Sequence, residues 1–366
     1  MKNAKKTNNP YSEMSAKQLK ALAEQGDAEA QFKLAGRYKK GEGIKKSFAK
    51  AVEWCTKAAK QGRSDAQNNL GVYYKQGRGV EKDYAKAVEW FTKAAEQDSM
   101  GAQWNLGACY YFGTGVEKDY TKALEWFFKA AEQGDSWSQN DIGICYLNGY
   151  GIEKDAVKGV EWITKAAKQG FDTAQYNLAG CYKDGEGIEQ DDKQAIKWYT
   201  MAALQGNMWA QHNLGLLYEY GDGVRKNYKK AVEWFTKAAE QGSDKAQYHL
   251  GFCYKKGLGV EKDFGQAVKW YLKAANQGEP LAQNNLAICY ERGEGVRKSY
   301  KKAIEWYTKA AEQGTVMAQY NLAECYEIGR GVKKDIDKAV EWYTKAAEQG
   351  DKSAQDKLSL LQQNME

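Results

Sequence analysis

Two four-residue segments of this 366-residue chain have the residue types and spacing of a catalytic motif. Ser47-Phe-Ala-Lys50 and Ser299-Tyr-Lys-Lys302 match Ser-x-x-Lys, in which a lysine amine beside a serine hydroxyl arms a nucleophile against β-lactams and esters. No Lys-Thr-Gly accompanies them, and the same lysine recurs as Lys86, Lys122 and Lys158 where the serine is replaced by aspartate. The serines therefore read as helix caps, and a weak hydrolase is the last of three functional readings. Gly-x-Gly loops such as Gly77-Arg78-Gly79 suggest phosphate binding, but they follow helical patterns and lack the Gly-Lys-Ser/Thr ending; they read as turns. His212 and His249 are the only histidines, and His249 takes the place of a recurring asparagine (Asn69, Asn105, Asn177, Asn213). A packed, hydrogen-bonded role follows for it. Without a Cys/His cluster no zinc site is expected, nor any cofactor. Nothing assembles a nucleophile, a base and its orienter, so the expectation is a protein without enzymatic activity.

What the chain does offer is aromatic surface. Eight rings stand at sites that vary along it: Trp104, Tyr111, Phe112, Trp137, Tyr150, Tyr176, Trp209 and Tyr248. Trp and Tyr dominate binding hot spots, so these are the candidate partner-binding residues.

The elements that position them come from a repeat. Tryptophan returns every 36 residues at Trp54, Trp90, Trp126, Trp162, Trp198, Trp234, Trp270, Trp306 and Trp342. A fixed period of this length marks a stack of helix hairpins, none able to bury its apolar face alone. In residues 63–98, Ala66, Leu70 and Tyr74 share one face of a first helix expected from about Asp65 to Lys75. Gly77 ends it, Val80 plugs the core, and Asp83 caps a second helix carrying Ala87, Val88, Trp90, Phe91, Ala94 and Ala95. The capping site is Ser47, Asp83, Asp119, Asp155, Asp191, Asn227, Asp263, Ser299 and Asp335 in successive units, all side chains that accept from free helix-start amides. Glu89 and Lys93 are spaced for an exposed i,i+4 pair.

The expected organisation is a disordered tail (1–10), an N-terminal capping helix (11–26), nine hairpins (27–62, 63–98, 99–134, 135–170, 171–206, 207–242, 243–278, 279–314, 315–350) and a C-terminal capping helix (351–366). Gln18 and Gln362 stand where the tryptophan and tyrosine would be. Such polar ends are the caps a solenoid needs for solubility, and they suggest a complete array. The fold class is all-α: a right-handed superhelical solenoid of about twenty helices, roughly 90 Å in contour at ~10 Å per layer.

Composition excludes other classes. The net charge of +6 is spread along the repeats beside glutamates, unlike the one-sided basic face of a nucleic-acid binder. No apolar run approaches the ~18 residues of a membrane span, and the start has no apolar core of a secretory signal. Six cysteines (Cys109, Cys145, Cys181, Cys253, Cys289, Cys325) share one column and Cys55 stands alone. Units stacked ~8–10 Å apart keep column-mates beyond the ~7 Å that a disulfide spans, so the thiols read as buried apolar groups in a reducing, cytoplasmic setting. A monomer is expected.

Ala102-Gln103-Trp104-Asn105-Leu106-Gly107-Ala108-Cys109-Tyr110, followed by Gly113-Thr114-Gly115-Val116-Glu117-Lys118-Asp119-Tyr120, resembles the Sel-one-like repeat (SLR) family, a relative of the tetratricopeptide repeat. The likeness covers about residues 11–362. It implies adaptors in signalling, secretion, envelope or host-interaction complexes. A cysteine-rich branch of that family pairs cysteines between the two helices of a unit; here Ala94, Ala95 and their equivalents occupy the matching sites.

One first-helix column reads Phe32, Asn68, Trp104, Asn140, Tyr176, His212, Tyr248, Asn284, Tyr320, alternating aromatic with Asn or His. Three residues earlier the bulk tends to the opposite units, at Trp137, Trp209 and Leu281, hinting at a 72-residue period. Two readings stand. Alternating sizes satisfy packing between neighbours, or the aromatics line a concave groove, densest at Trp104, Tyr111, Phe112, Trp137 and Tyr150. The leading function is a scaffold binding a partner protein or peptide there; a carbohydrate- or muropeptide-binding module is the alternative. The tryptophan column itself, present in every unit, is expected to be core, with Trp198→Ala costing ~3–5 kcal/mol.

Overall fold

The computed structural model describes residues 10–363. The expected tail lies outside them apart from Pro10, as does the side chain of Gln362. Among the described residues there are twenty-one helices, the first a single turn, and no strand; the chain is an all-α solenoid of helix hairpins with a 36-residue period. Its first capping segment is not one helix. It breaks at Ser15, whose side chain accepts from the Gln18 amide while the Gln18 side chain reaches back, and the helix proper is Ala16–Glu24. Gln18 is thus a capping-box partner.

The helices form two compact units, Met1–Asp191 and Asp192–Glu366. Both use the same hairpin. In the second repeat Ser64–Gln76 ends at Gly77, whose φ of +66° is left-handed, and Tyr84–Ala95 follows. Gly79 answers a different need: a Cβ there would collide with the Phe48 backbone of the preceding repeat, so the second glycine of the loop is a close-approach site. Asp83 accepts from the Lys86 amide at 2.9 Å, and Ser47, Asp119, Asp155, Asn227, Asp263, Ser299 and Asp335 cap in the same way.

The core is shared between hairpins. Ala87, Phe91 and Ala94 of one second helix pack with Ala102, Leu106 and Cys109 of the next first helix. Small alanines let the helices approach, and in most repeats one large side chain, usually a ring, fills what remains. That side chain is not the tryptophan. The neighbouring column (Phe91, Phe127, Ile163, Phe235, Tyr271, Tyr307, Tyr343) holds the fully buried side chains, and Gly107 faces Phe127 so closely that a Cβ would sit 2.6 Å from its ring. Of the nine tryptophans only Trp54 and Trp270 are buried; the others, Trp198 included, are half-buried. Trp126 still packs on the core of the preceding hairpin, with Lys129 4.1 Å above its ring. The column joins hairpins from the flank, and truncating a half-buried ring costs less than the ~3–5 kcal/mol of a fully buried one. The lysine of this column lies over the tryptophan in most repeats, as Lys93 does over Trp90 at 4.6 Å; Lys57 and Lys345 also reach Glu53 and Glu341.

A column of buried glutamines ties the repeats together. Gln103 donates to the Ala95 carbonyl behind it at 3.4 Å and accepts from Gln133 at 2.8 Å. The same pair of bonds recurs at Gln31, Gln67 and Gln139 and at Gln211, Gln247, Gln283 and Gln319. All seven cysteines are free and buried, and burial pushes the Cys145 and Cys253 thiols up to about 12. Among the described residues no helix is long and apolar enough to cross a membrane.

Candidate partner-binding surface

The alternating first-helix column sits at the joints between repeats. Where it is asparagine, its carbonyl accepts from an asparagine 37 residues on: Asn68 from Asn105 at 3.0 Å, Asn140 from Asn177 at 2.8 Å, Asn284 from Asn321 at 3.1 Å. Where it is Trp104, the indole N–H donates instead to Asp141 at 2.9 Å. Trp104, Tyr176 and Tyr248 are half-buried, and the Trp104 ring is held at its joint by that bond. Asp141 is the one carboxylate in a column that otherwise holds mainly asparagine. Burial pushes its carboxyl up to about 6 against the bonds from Trp104 and Asn140.

At the joint of repeats six and seven the amide pair is replaced by His212 and His249, ring centroids 5.6 Å apart. His249 Nδ1 lies 3.1 Å from a carboxylate oxygen of buried Glu219. Burial first, then the neighbouring His249, lowers His212 to about 4. The two histidines are thus partners in one joint, although they stand in different repeats. No group of three or more His, Cys, Asp or Glu suited to a metal ion occurs among the described residues. Ser47 and Ser299 accept from the Lys50 and Lys302 amides at 3.3 and 3.4 Å, the bonding of helix caps.

The densest cluster of candidate rings lies in repeats three and four, inside the first unit. Trp104 and Trp137 are 5.2 Å apart, and Trp137 continues to Phe171 at 4.5 Å. Tyr111 meets Phe112 at 4.9 Å, Tyr120 at 5.1 Å and Tyr150 at 6.1 Å. Tyr150, in the loop of the fourth repeat, stacks on Tyr120 at 4.8 Å, so it is half-buried packing more than open surface. A cleft of about 260 Å³ opens between Lys75, Trp104, Tyr111, Phe112, Phe127 and Asp141. Phe112 and Trp137 remain 72 % and 51 % exposed. The first helices here, Met100–Phe112 and Ser136–Asn148, carry no formal charge except Asp141. In the second unit Trp209 is 58 % exposed, while Tyr248 packs 5.1 Å from His249 and 6.2 Å from Tyr271. The sequence reading missed Phe171, Phe127, Tyr120 and Asp141. Phe171 had a signal: it occupies the first-helix capping site that is Asp27, Ser99, Asp135 or Asn207 elsewhere.

Comparison with known proteins agrees with this architecture. The sequence model of the Sel1 repeat matches nine times, at residues 28–62, 64–99, 101–135, 138–171, 172–207, 210–243, 244–279, 280–315 and 316–351. Among solved structures, a protective antigen present in uropathogenic Escherichia coli strains and displaying an SLR fold is 40 % identical, covers 94 % of this chain and 82 % of its own, and superposes with a TM-score of 0.70. A Sel1 repeat protein from Oxalobacter formigenes is 34 % identical over 87 % of this chain and 92 % of its own, with a TM-score of 0.64. A search of curated proteins gave no match.

Proposed function

The chain belongs to the Sel1 repeat family, and from that premise we propose that it is a non-enzymatic scaffold or adaptor that binds a partner protein or peptide on the concave, first-helix side of its hairpins. The observation that carries this reading is the ring series Trp104–Trp137–Phe171 on first helices almost free of charge. A fold of this size that leaves Trp137 half in water holds apolar area that a partner can cover. Ring-edge donors and flat faces at low side-chain entropy make such residues anchors. Seven free, buried thiols support a reducing, cytoplasmic setting.

The test is affinity capture from the native cell with the full chain and with Trp137→Ala. Capture is expected to weaken by at least tenfold while the unfolding midpoint stays within a few degrees. A partner retained at full strength by the variant removes the groove from the reading. The exposed face of Trp137 also favours a second reading, stacking on a sugar ring. A reproducible protein partner with a silent glycan array decides against it, and a glycan signal lost in Trp137→Ala decides for it.

A further inference from the structure

We propose that the first-helix face of repeats one to four takes an extended acidic–aromatic peptide, its carboxylates at repeat one and its aromatic side chain at repeat three. This rests on the scaffold reading above and names the chemistry of the partner.

Two cavities carry the inference, and they are the same site built twice. The first, of about 430 Å³, is lined among others by Phe32, Lys39, Lys40 and Cys55. The second, of about 260 Å³, is lined by Trp104, Tyr111, Phe112 and Phe127. Each member of the second set stands 72 residues after its counterpart in the first. The change of residue types converts one groove position from basic to aromatic. Around the first cavity Lys33, Arg37, Lys39 and Lys40 face a single lining carboxylate, Glu42. Arg37 and Lys40 share that carboxylate at 3.6 and 3.3 Å and Lys33 pairs with Glu29 at 3.4 Å, so four cations meet two carboxylates and the wall keeps a surplus of positive charge. Lys75 stands at the rim of the second cavity and continues the basic side toward the rings.

Charge complementarity selects the occupant. A nucleic acid carries a phosphate at every step, so it would lay anionic charge across Met100–Phe112 and Ser136–Asn148, where the sole formal charge is the carboxylate of Asp141. A peptide can confine its charge to one end and present an uncharged ring at the other. Two repeats at ~10 Å per stacked layer separate the sites by roughly 20 Å. At ~3.3 Å per extended residue that is about six residues between acid and ring.

The experiment is selection of a random twelve-residue peptide display library on the intact chain, followed by fluorescence anisotropy of the enriched peptides. The expected consensus is a pair or run of Asp/Glu five to seven residues from a Trp, Tyr or Phe. Lys39→Glu with Lys40→Glu should weaken those peptides by at least tenfold, and Phe112→Ala should do the same. All three positions are exposed, so melting curves are expected to match the parent. Enrichment of basic or charge-free sequences, enrichment of nothing, or affinity untouched by the charge-reversed variant overturns the proposal. A native partner that depends on Trp137 yet ignores both variants overturns this inference alone and leaves the scaffold reading intact.

Discussion

The joint of His212 and His249 shows how replacing an amide pair changes the physics of a seam. Elsewhere two asparagines exchange a neutral hydrogen bond there, as Asn140 and Asn177 do at 2.8 Å. At this joint two imidazoles meet beside Glu219, with His212 held near a pKa of about 4 mainly by burial. The unfolded chain takes up a proton at His212 near pH 6.5 that the folded chain refuses until about 4. Stability therefore falls as pH drops through that window. His212→Asn is expected to remove up to about 3 kcal/mol of that loss, read as a flatter urea midpoint between pH 7 and 4.5. Asp141 acts in the opposite sense. Its raised carboxyl pKa of about 6 means a stabilising contribution present below about pH 4 and lost as pH rises through 6. Neither effect could be read from sequence. The groups interact across an offset of 37 residues, one repeat plus one position, and only the stacking of first helices brings those positions together. A carboxylate among asparagines at Asp141 was visible, but its burial was not.

Among the elements, helix boundaries were the most legible feature. Asp83 and Gly77 mark their ends by chemistry that acts within four residues, and the observed first helix, Ser64–Gln76, begins one residue before the expected start. Which side of the second helix faces inward was less legible. Trp126 and Phe127 are adjacent, both large and apolar, and set ~100° apart on the helix; composition cannot say which of the two is enclosed. Phe127 is, and Gly107 gives it room, since a Cβ there would sit 2.6 Å from its ring. The glutamine column was the least legible, since a polar residue near a helix start reads as surface. Gln103 is 1 % exposed and serves three partners, Ala95, Asp98 and Gln133. Gln103→Ala would leave the Ala95 carbonyl and the Gln133 amide without it, and a loss of ~1–3 kcal/mol is expected by urea unfolding. Lys122→Ala, on the exposed face, should stay within ~0.5 kcal/mol.

For the whole molecule, the period of 36 residues sets the architecture, and the sequence alone carries it because each hairpin repeats its own instructions. The joints do not follow that period. They alternate between joints that start from a small amide, such as Asn68 with Asn105, and joints that start from a large ring, such as Trp104, which meets Asp141. Removing 99–170 would set Asn68 against Asn177 and recreate the amide joint that Asn140 makes now. Removing only 135–170 would set Trp104 against Asn177 in place of Asp141 and leave Trp104 and Tyr176 in successive repeats, two large side chains where large and small now alternate. The chain shortened by 72 residues should then melt above the chain shortened by 36, although it has lost twice as many stabilising interfaces; the reverse order would mean that the alternation does not govern the joints. In copy-number terms the array has an even-numbered currency. Tandem duplication or loss in such a gene leaves every seam matched only when it moves two hairpins at once, so lengths that differ by an odd number of repeats should carry a mended seam.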